Sequence, residues 1–240
     1  MPDHPPGLDL TPGTVAAATG QVALVLGGTG RLGSAVVRSL AGRGFSLAIH
    51  GHRGLAAARA AAESLTAAGL PSLAVTANLR DEGATRTAVH RVAGHFGRLD
   101  VLVNCAGMHQ AAAIDDLSAD DLHAHYDVNV VAPFLAAAEA GRLMARQPDG
   151  GAIVLVAAGC SGKVPPGATA ALASQAAVPV LARALAGAYA TIGGPVRVNC
   201  VLWNGSAESG PEPTPVIDAT AQAIVAIVEN RGLSGSCLTL

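Results

Sequence analysis

A glycine-rich turn constrains the fold of this chain more than any other stretch. Residues 22–26 are continuously apolar, and Gly27, Gly28, Gly30 and Gly33 follow at once. The apolar residues after the turn recur at helical spacing, so a strand, a turn and a helix are predicted in succession. Glycines let the backbone approach a phosphate group, and the free N–H groups at the start of a helix point towards it. The stretch therefore predicts a phosphate-binding turn.

Short apolar runs alternate with helical patterns along the rest of the chain. Strands are predicted at 21–26, 46–50, 72–76, 99–104, 152–157, 196–201 and 235–240, and helices at 31–42, 54–68, 82–96, 117–147, 169–192 and 215–230. This alternation, with continuously apolar strands, is typical of a parallel sheet covered by helices on both faces. We predict an α/β fold: a single doubly wound, parallel-sheet Rossmann domain over 20–240, after a flexible arm at 1–19 rich in proline and glycine.

Composition narrows the classes of partner. The net charge of −2 comes without a basic stripe, which argues against nucleic acid as a partner. The first twenty residues lack the apolar core of a signal peptide, and no uninterrupted apolar run reaches membrane-spanning length. The sequence therefore predicts a cytoplasmic protein with no membrane partner and a small molecule as its ligand.

Cysteine and histidine spacing gives no sign of a metal site. The four cysteines are far apart, which predicts buried thiols in a reducing compartment rather than a disulfide framework. His123 and His125 are two residues apart on a predicted helix, so they point to different faces and are not expected to share a metal ion. No metal-binding residues are predicted.

The second predicted strand ends without the acidic residue that would hold the ribose hydroxyls of NAD. The sequence there, 50–53, is His-Gly-His-Arg. A guanidinium group suits a 2′-phosphate, so Arg53, with His52 beside it, favours NADP(H) over NAD(H). An exposed basic turn without a ligand is the alternative.

Five segments together resemble the short-chain dehydrogenase/reductase family, from about residue 20 to the end of the chain. They are 26–33, 77–79, 99–107, 127–134 and 196–199. The glycine turn is similar to that of the extended or atypical members. Arg31 and the His-x-His-Arg turn resemble the pteridine-reductase-like members, and the chain length resembles the smaller ketoreductases. The resemblance implies a nicotinamide cofactor.

The turn and the resemblance together give a set of expected NADP(H)-binding residues. By the resemblance, Asn78 and Leu79 flank the adenine, and Asn104, Ala106 and Gly107 line the cofactor trough. The full set is Gly27, Gly28, Thr29, Gly30, Arg31, Leu32, Gly33, His52, Arg53, Asn78, Leu79, Asn104, Ala106 and Gly107.

The family's usual catalytic residues are not found in this sequence. Its chemistry uses a tyrosine acid, a lysine four residues later and a serine about 13 residues before the tyrosine. Those positions fall on Ala171, Gln175 and Ala158, and neither tyrosine of the chain has a lysine four residues on. Only Asn129, which matches the family's active-site asparagine, remains. Trp203 and the residue after it replace the family's usual Pro-Gly.

Other groups near the predicted carboxyl edge are candidates to replace the missing ones. Lys163 and Ser161 follow the fifth strand, and His109 follows the fourth. A lysine or histidine can serve as an acid or base near neutral pH. The catalytic candidates are therefore Asn129, Lys163, His109 and Ser161, and a solvated loop charge, a surface histidine and a turn serine are the alternatives for the last three.

Three functions remain open, because a fold alone does not choose among them. One is an atypical NADP(H)-binding oxidoreductase acting on a small organic substrate. Another is a non-redox enzyme on the same scaffold, such as a cyclase, dehydratase or isomerase. The third is a non-catalytic subunit that pairs with an active relative. Family members usually pair through the helices that correspond to 117–147 and 169–192, so a homodimer, a homotetramer or such a hetero-oligomer is expected.

Overall fold

Seven parallel strands form one sheet in the computed structural model, which describes residues 16–159, 164–203 and 214–240. The strands are β1 (Val22–Leu26), β2 (Ser46–His50), β3 (Ser72–Val75), β4 (Val101–Asn104), β5 (Gly151–Ala158), β6 (Val196–Trp203) and β7 (Cys237–Thr239). Their order is β3-β2-β1-β4-β5-β6-β7, and every neighbouring pair is parallel. The chain therefore reverses its direction of travel across the sheet between β1 and β4, where open α/β sheets bind ligands.

Helices cover both faces of this sheet. In the described ranges they are α1 (Arg31–Ala41), α2 (Leu55–Ala67), α3 (Glu82–Phe96), α4 (Ala119–Tyr126), α5 (Ala132–Met144), α6 (Thr169–Gln175), α7 (Val178–Thr191) and α8 (Thr214–Glu229). One apolar core lies between the sheet and α3, α5 and α7, and a second lies between the sheet and α1, α2 and α8. The α/β fold and its doubly wound parallel sheet are confirmed.

The helix ends follow local sequence signals. Ser118 and Asp121 form a capping box at the start of α4, with Asp in the position usual for Glu. Asp81 accepts a hydrogen bond from the backbone N–H of Ala84 at the start of α3, and Gly97 ends that helix in a left-handed conformation.

Each of the two longest predicted helices is interrupted. A π-helical turn, Asp127–Val131, separates α4 from α5, and residues 176–177 separate α6 from α7. Prolines explain both positions. Pro133 has no N–H to bond the carbonyl of Asn129, and Pro179 lies in the first turn of α7, where a missing N–H costs least. Helical periodicity alone does not reveal such breaks.

The predicted N-terminal arm lies mostly outside the described residues, so the division at residue 19 stays a prediction. The last residues before β1 are held against the end of α1. The backbone N–H of Ala16 donates to the carbonyl of Ala41 (3.4 Å), and that of Thr19 donates to the carbonyl of Gly44 (2.9 Å).

One helical stretch among the described residues, Thr169–Thr191, is long and apolar enough to cross a membrane by length and composition alone. It contains the break at residues 176–177, and Val178, Ala182 and Leu185 of α7 lie in the apolar core beside β6. Core helices of globular domains pass the same test, so the stretch is weak evidence for a membrane span.

The contact between α5 and α7 yields a test of this packing. Gly141 faces the buried ring of Tyr189, whose hydroxyl donates to the carbonyl of Ala137 (3.1 Å), and a Cβ on Gly141 would lie 2.1 Å from that ring. We expect Gly141→Ala to lower the free energy of unfolding by about 1–3 kcal/mol, since the ring has no room to move. The matched control is Gly187→Ala in α7, where a Cβ meets nothing within 4 Å. The control should leave stability unchanged or raise it by about 0.5–1 kcal/mol, as measured by urea denaturation.

Candidate cofactor and active site

The turn between β1 and α1 is closed by contacts that only glycine permits. Gly27 has φ of +71°, and a Cβ on it would lie 2.7 Å from the backbone nitrogen of Ala106. A Cβ on Gly33 would lie 2.1 Å from the carbonyl oxygen of Gly27. The N–H of Gly30 donates to that same carbonyl oxygen at 2.9 Å. The first turn of α1 thus packs directly against the backbone at the end of β1.

The start of α1 is open to an anion. Gly30 is the N-cap residue, so no side chain caps the helix, and its first turn contains no acidic residue. The first N–H groups of the helix and its dipole therefore favour a negatively charged group at this end. A tight glycine cradle ahead of an uncapped helix start fits the pyrophosphate of a dinucleotide.

Thr29 connects the glycine turn to the turn that follows β2. A Cβ on Gly51 would lie 3.0 Å from Cγ2 of Thr29, and a Cβ on Gly54 would lie 2.7 Å from its Oγ1. The side chains of His52 and Arg53, between these two glycines, are exposed. Among the residues described, the Arg53 guanidinium has no carboxylate partner. The Arg53 guanidinium, unpaired by any carboxylate of the described residues, therefore lies on a turn that packs against the glycine turn.

His50, for which the sequence predicted no role, connects the ends of neighbouring strands through its ring. It is 2% exposed, its Nδ1 accepts a hydrogen bond from the N–H of Gly27 (3.2 Å), and its Nε2 lies 3.1 Å from the carbonyl oxygen of Ala77. These partners require a neutral ring with the proton on Nε2. Burial lowers the pKa of His50 despite the hydrogen bond to Ala77, with His52 lowering it further. Its place at the end of a predicted strand was the only sequence signal.

The expected adenine and trough residues lie along the same edge. Asn78 is exposed and its Oδ1 accepts from the N–H of Arg80, whereas the Leu79 side chain is buried in the core. Asn104 is 2% exposed, and its Oδ1 has no hydrogen-bond partner among the described residues. A buried acceptor without a partner is costly, so this oxygen is suited to accept a hydrogen bond from a hydroxyl group of a ligand.

The side-chain amide of Asn129 connects two segments of the chain. It is 2% exposed within the π-helical turn, a feature often found at functional sites. Its Oδ1 accepts from the N–H of Met108 (2.7 Å), and its Nδ2 donates to the carbonyl of Met108 (3.0 Å) and to Oγ of Ser174 (2.9 Å). The amide therefore links the segment after β4 to α6, and both of its N–H hydrogens are donated in hydrogen bonds.

Three polar side chains converge on Gly107. A Cβ there would lie 3.1 Å from Nε2 of Gln175, 3.2 Å from Nε2 of His109 and 3.6 Å from Oδ1 of Asn129. The structure thus brings the predicted candidates His109 and Asn129 together, with Gln175 as a third member. The His109 side chain is exposed, but partial desolvation by its neighbours lowers the pKa of its ring, and His125 lowers it further. His109 is therefore neutral at physiological pH and is better suited to accept a proton than to donate one.

Gln175 fills the place that the family resemblance gives to a lysine. It is 3% exposed, and its Oε1 accepts a hydrogen bond from the N–H of Ala158 (3.1 Å). Ala171 is buried one turn earlier on α6. The three positions that the resemblance assigned to serine, tyrosine and lysine thus lie on α6 and on the end of β5, beside Asn129. Their match to the family's catalytic residues stays a prediction.

Some predicted groups cannot be placed. Cys160, Ser161 and Lys163 lie outside the described residues, as does the residue after Trp203. Trp203 ends β6, and its indole N–H is buried without a hydrogen-bond partner in the described part of the chain. Within that same part, no three His, Cys, Asp or Glu side chains group as metal ligands do.

Comparison with known proteins identifies the family. A family profile described as short chain dehydrogenase matches residues 21–205. The chain therefore belongs to the short-chain dehydrogenase family, as the sequence motifs predicted. An uncharacterized oxidoreductase of Methylorubrum extorquens is 34% identical over 135 residues, which span 56% of this chain and about half, 53%, of that relative.

Solved structures agree with this assignment. A short-chain dehydrogenase/reductase from Serratia marcescens superposes with a TM-score of 0.82 at 28% identity, covering 94% of this chain and 98% of that one. A short chain dehydrogenase from Burkholderia cenocepacia, in complex with NADP, gives 0.81 at 31% identity over the same shares.

The buried histidine predicts a pH dependence of stability. Because the pKa of His50 in the folded protein lies below its ordinary value of 6.5, the unfolded chain binds more protons as the pH falls past that value. The stability contributed by the neutral ring is thus complete above pH 6.5 and is lost as the pH falls through the lowered pKa. We expect His50→Asn to cost about 1–3 kcal/mol at neutral pH and to lose less stability on acidification than the native protein does.

Urea denaturation at about pH 8 and about pH 5 measures both effects. The control is His123→Asn, at an exposed position on α4, and it should keep the native pH dependence. An unchanged pH dependence in His50→Asn would show that other groups cause it.

Proposed function

We propose that this protein is an NADP(H)-dependent oxidoreductase acting on a small organic substrate without the usual tyrosine and lysine. The observation that carries the proposal is the packing of Thr29 against Gly51 and Gly54, which brings the Arg53 turn to the phosphate-binding loop. The loop supplies backbone N–H groups for the pyrophosphate, and Arg53 supplies a guanidinium for a 2′-phosphate. The NADP-bound Burkholderia cenocepacia relative supports the same choice of cofactor.

The acid–base groups support a restricted substrate class. NADPH, when bound, supplies the hydride. Ala171 and Ala158 have no proton to donate, and Gln175 is neutral and already bonded to the N–H of Ala158. His109 is held neutral, so it is a poor acid at physiological pH. A substrate that already carries its proton, such as an iminium ion, needs no acid from the protein.

A non-catalytic subunit is the second candidate. The observation that favours it is the exposure of Phe134 on α5 and Val180 on α7, the helices expected to pair with another subunit. Large apolar side chains on a predicted interface suit burial against a partner. In this alternative the cofactor site stabilises the subunit and no hydride is transferred.

The cofactor assignment is tested at Arg53. We expect Arg53→Asp to raise the Kd for NADPH by about 10- to 100-fold, since it replaces attraction for the 2′-phosphate with repulsion, and to change the Kd for NADH far less. Nicotinamide fluorescence on titration measures both constants. Arg59→Asp, the same charge change on the exposed face of α2, is the matched control and should bind NADPH as the native protein does. Equal losses for both nucleotides would contradict a role in 2′-phosphate recognition.

The substrate class is tested by NADPH oxidation with paired substrates. We expect a preformed cyclic iminium ion to be reduced, and a ketone of similar shape to react at least about 100-fold more slowly for lack of an acid. The variant Ala158→Ser/Ala171→Tyr/Gln175→Lys restores the family's groups and should raise the ketone rate. A native ketone rate equal to the iminium rate would contradict the proposal. NADPH binding without oxidation by any substrate would favour the non-catalytic subunit.

A further inference from the structure

Two cysteines far apart in the sequence are direct neighbours at the edge of the sheet. Cys200 of β6 and Cys237 of β7 are partners in the parallel ladder, and the N–H of Cys200 donates to the carbonyl of Ser236 at 2.8 Å. Neighbouring strands lie about 4.7–4.9 Å apart, and disulfides bridge Cα atoms separated by about 4.4–6.8 Å. Side chains of paired residues point to the same face. The backbone therefore already has the spacing of a cystine.

The two thiols differ in their access to solvent. Cys200 is fully buried in the core beneath α7, whereas Cys237 is exposed on the three-residue edge strand. Burial raises the pKa of the Cys200 thiol, and the neighbouring Cys237 raises it further. An exposed thiol next to a buried one is the arrangement in which one sulfur is oxidised and the other then closes the bond.

We propose that Cys200 and Cys237 form a reversible disulfide when the protein meets a peroxide. This site lies on the edge strand and is independent of the proposed dinucleotide chemistry. Sequence spacing predicted separate buried thiols, and only the placement of β7 beside β6 brings these two together. The bond would fasten β7, and with it the end of the chain, to the body of the sheet.

The reaction balances in two steps. The Cys237 sulfur, as thiolate, attacks one oxygen of the peroxide, the O–O bond breaks, and the departing oxygen leaves as water with the thiol proton. The Cys200 sulfur, on losing its proton, attacks the Cys237 sulfur, so the S–S bond forms while the S–O bond breaks and a second water leaves. Each sulfur gives up one electron, and hydrogen peroxide is reduced to two waters.

Transient opening of the edge strand β7 gives the Cys200 sulfur access to the Cys237 sulfur for the second step. Strand β7 has only three residues and one neighbour, so its hydrogen bonds are among the least protected in the sheet. Cys105 provides an internal comparison, because burial raises the pKa of its thiol to about 12 and it follows the last residue of β4, outside the ladder. Cys105 should stay reduced while Cys237 reacts.

The test uses the full chain with hydrogen peroxide as the oxidant. In a Cys105→Ala/Cys160→Ala background, intact mass should fall by two hydrogen atoms per chain, and peptide mapping should find Cys200 linked to Cys237. Dithiothreitol should reverse both changes. The oxidised form should melt roughly 5 °C higher than the reduced form, because the bond closes a long loop in the unfolded chain.

A further variant and the native chain serve as controls. Cys237→Ser should abolish the mass loss and the melting shift, and the native chain should give the same linked peptide if the double variant folds poorly. Oxidation of Cys237 to a sulfinic acid without a linked peptide would overturn the proposal. A disulfide between two chains, in place of the one within a chain, would overturn it equally.

Discussion

The contact of Gly33 with the carbonyl oxygen of Gly27 sets the geometry of the ligand-binding edge. A Cβ on Gly33 would push α1 away from β1, and a Cβ on Gly27 would collide with the backbone of Cys105 and Ala106 after β4. His50 acts on the same turn from the other side, through its hydrogen bond from the N–H of Gly27. The glycine turn is thus fixed by backbone contact and by one buried ring.

The order of the elements was predictable because each follows from a local signal. Continuous apolar strands and the glycine turn are read from neighbouring residues alone, and the structure confirms them. The helix breaks beside Pro133 and Pro179 were missed, because apolar periodicity continues through both. The hydrogen bonds of His50 were beyond reach, since they depend on how three strand ends meet in space.

The candidate site likewise has one part that the sequence predicted and one part that it did not. The glycines and Arg53 could be found by spacing, whereas the convergence of Gln175, His109 and Asn129 on Gly107 required the folded chain. A neutral amide at Gln175 also suits its burial, because a lysine ammonium there would carry a desolvation cost. The glycine turn thus matches the family's pattern, whereas the other end of the candidate site places Gln175, His109 and Asn129 around Gly107.

The scarcity of aromatic residues has an optical consequence. Trp203 is the sole tryptophan of the chain, and it ends β6 at the edge where ligands are expected. Its indole N–H is buried without a partner in the described ranges, so its emission depends on the polarity of that one place. The emission of Trp203 is therefore free of background from any other indole.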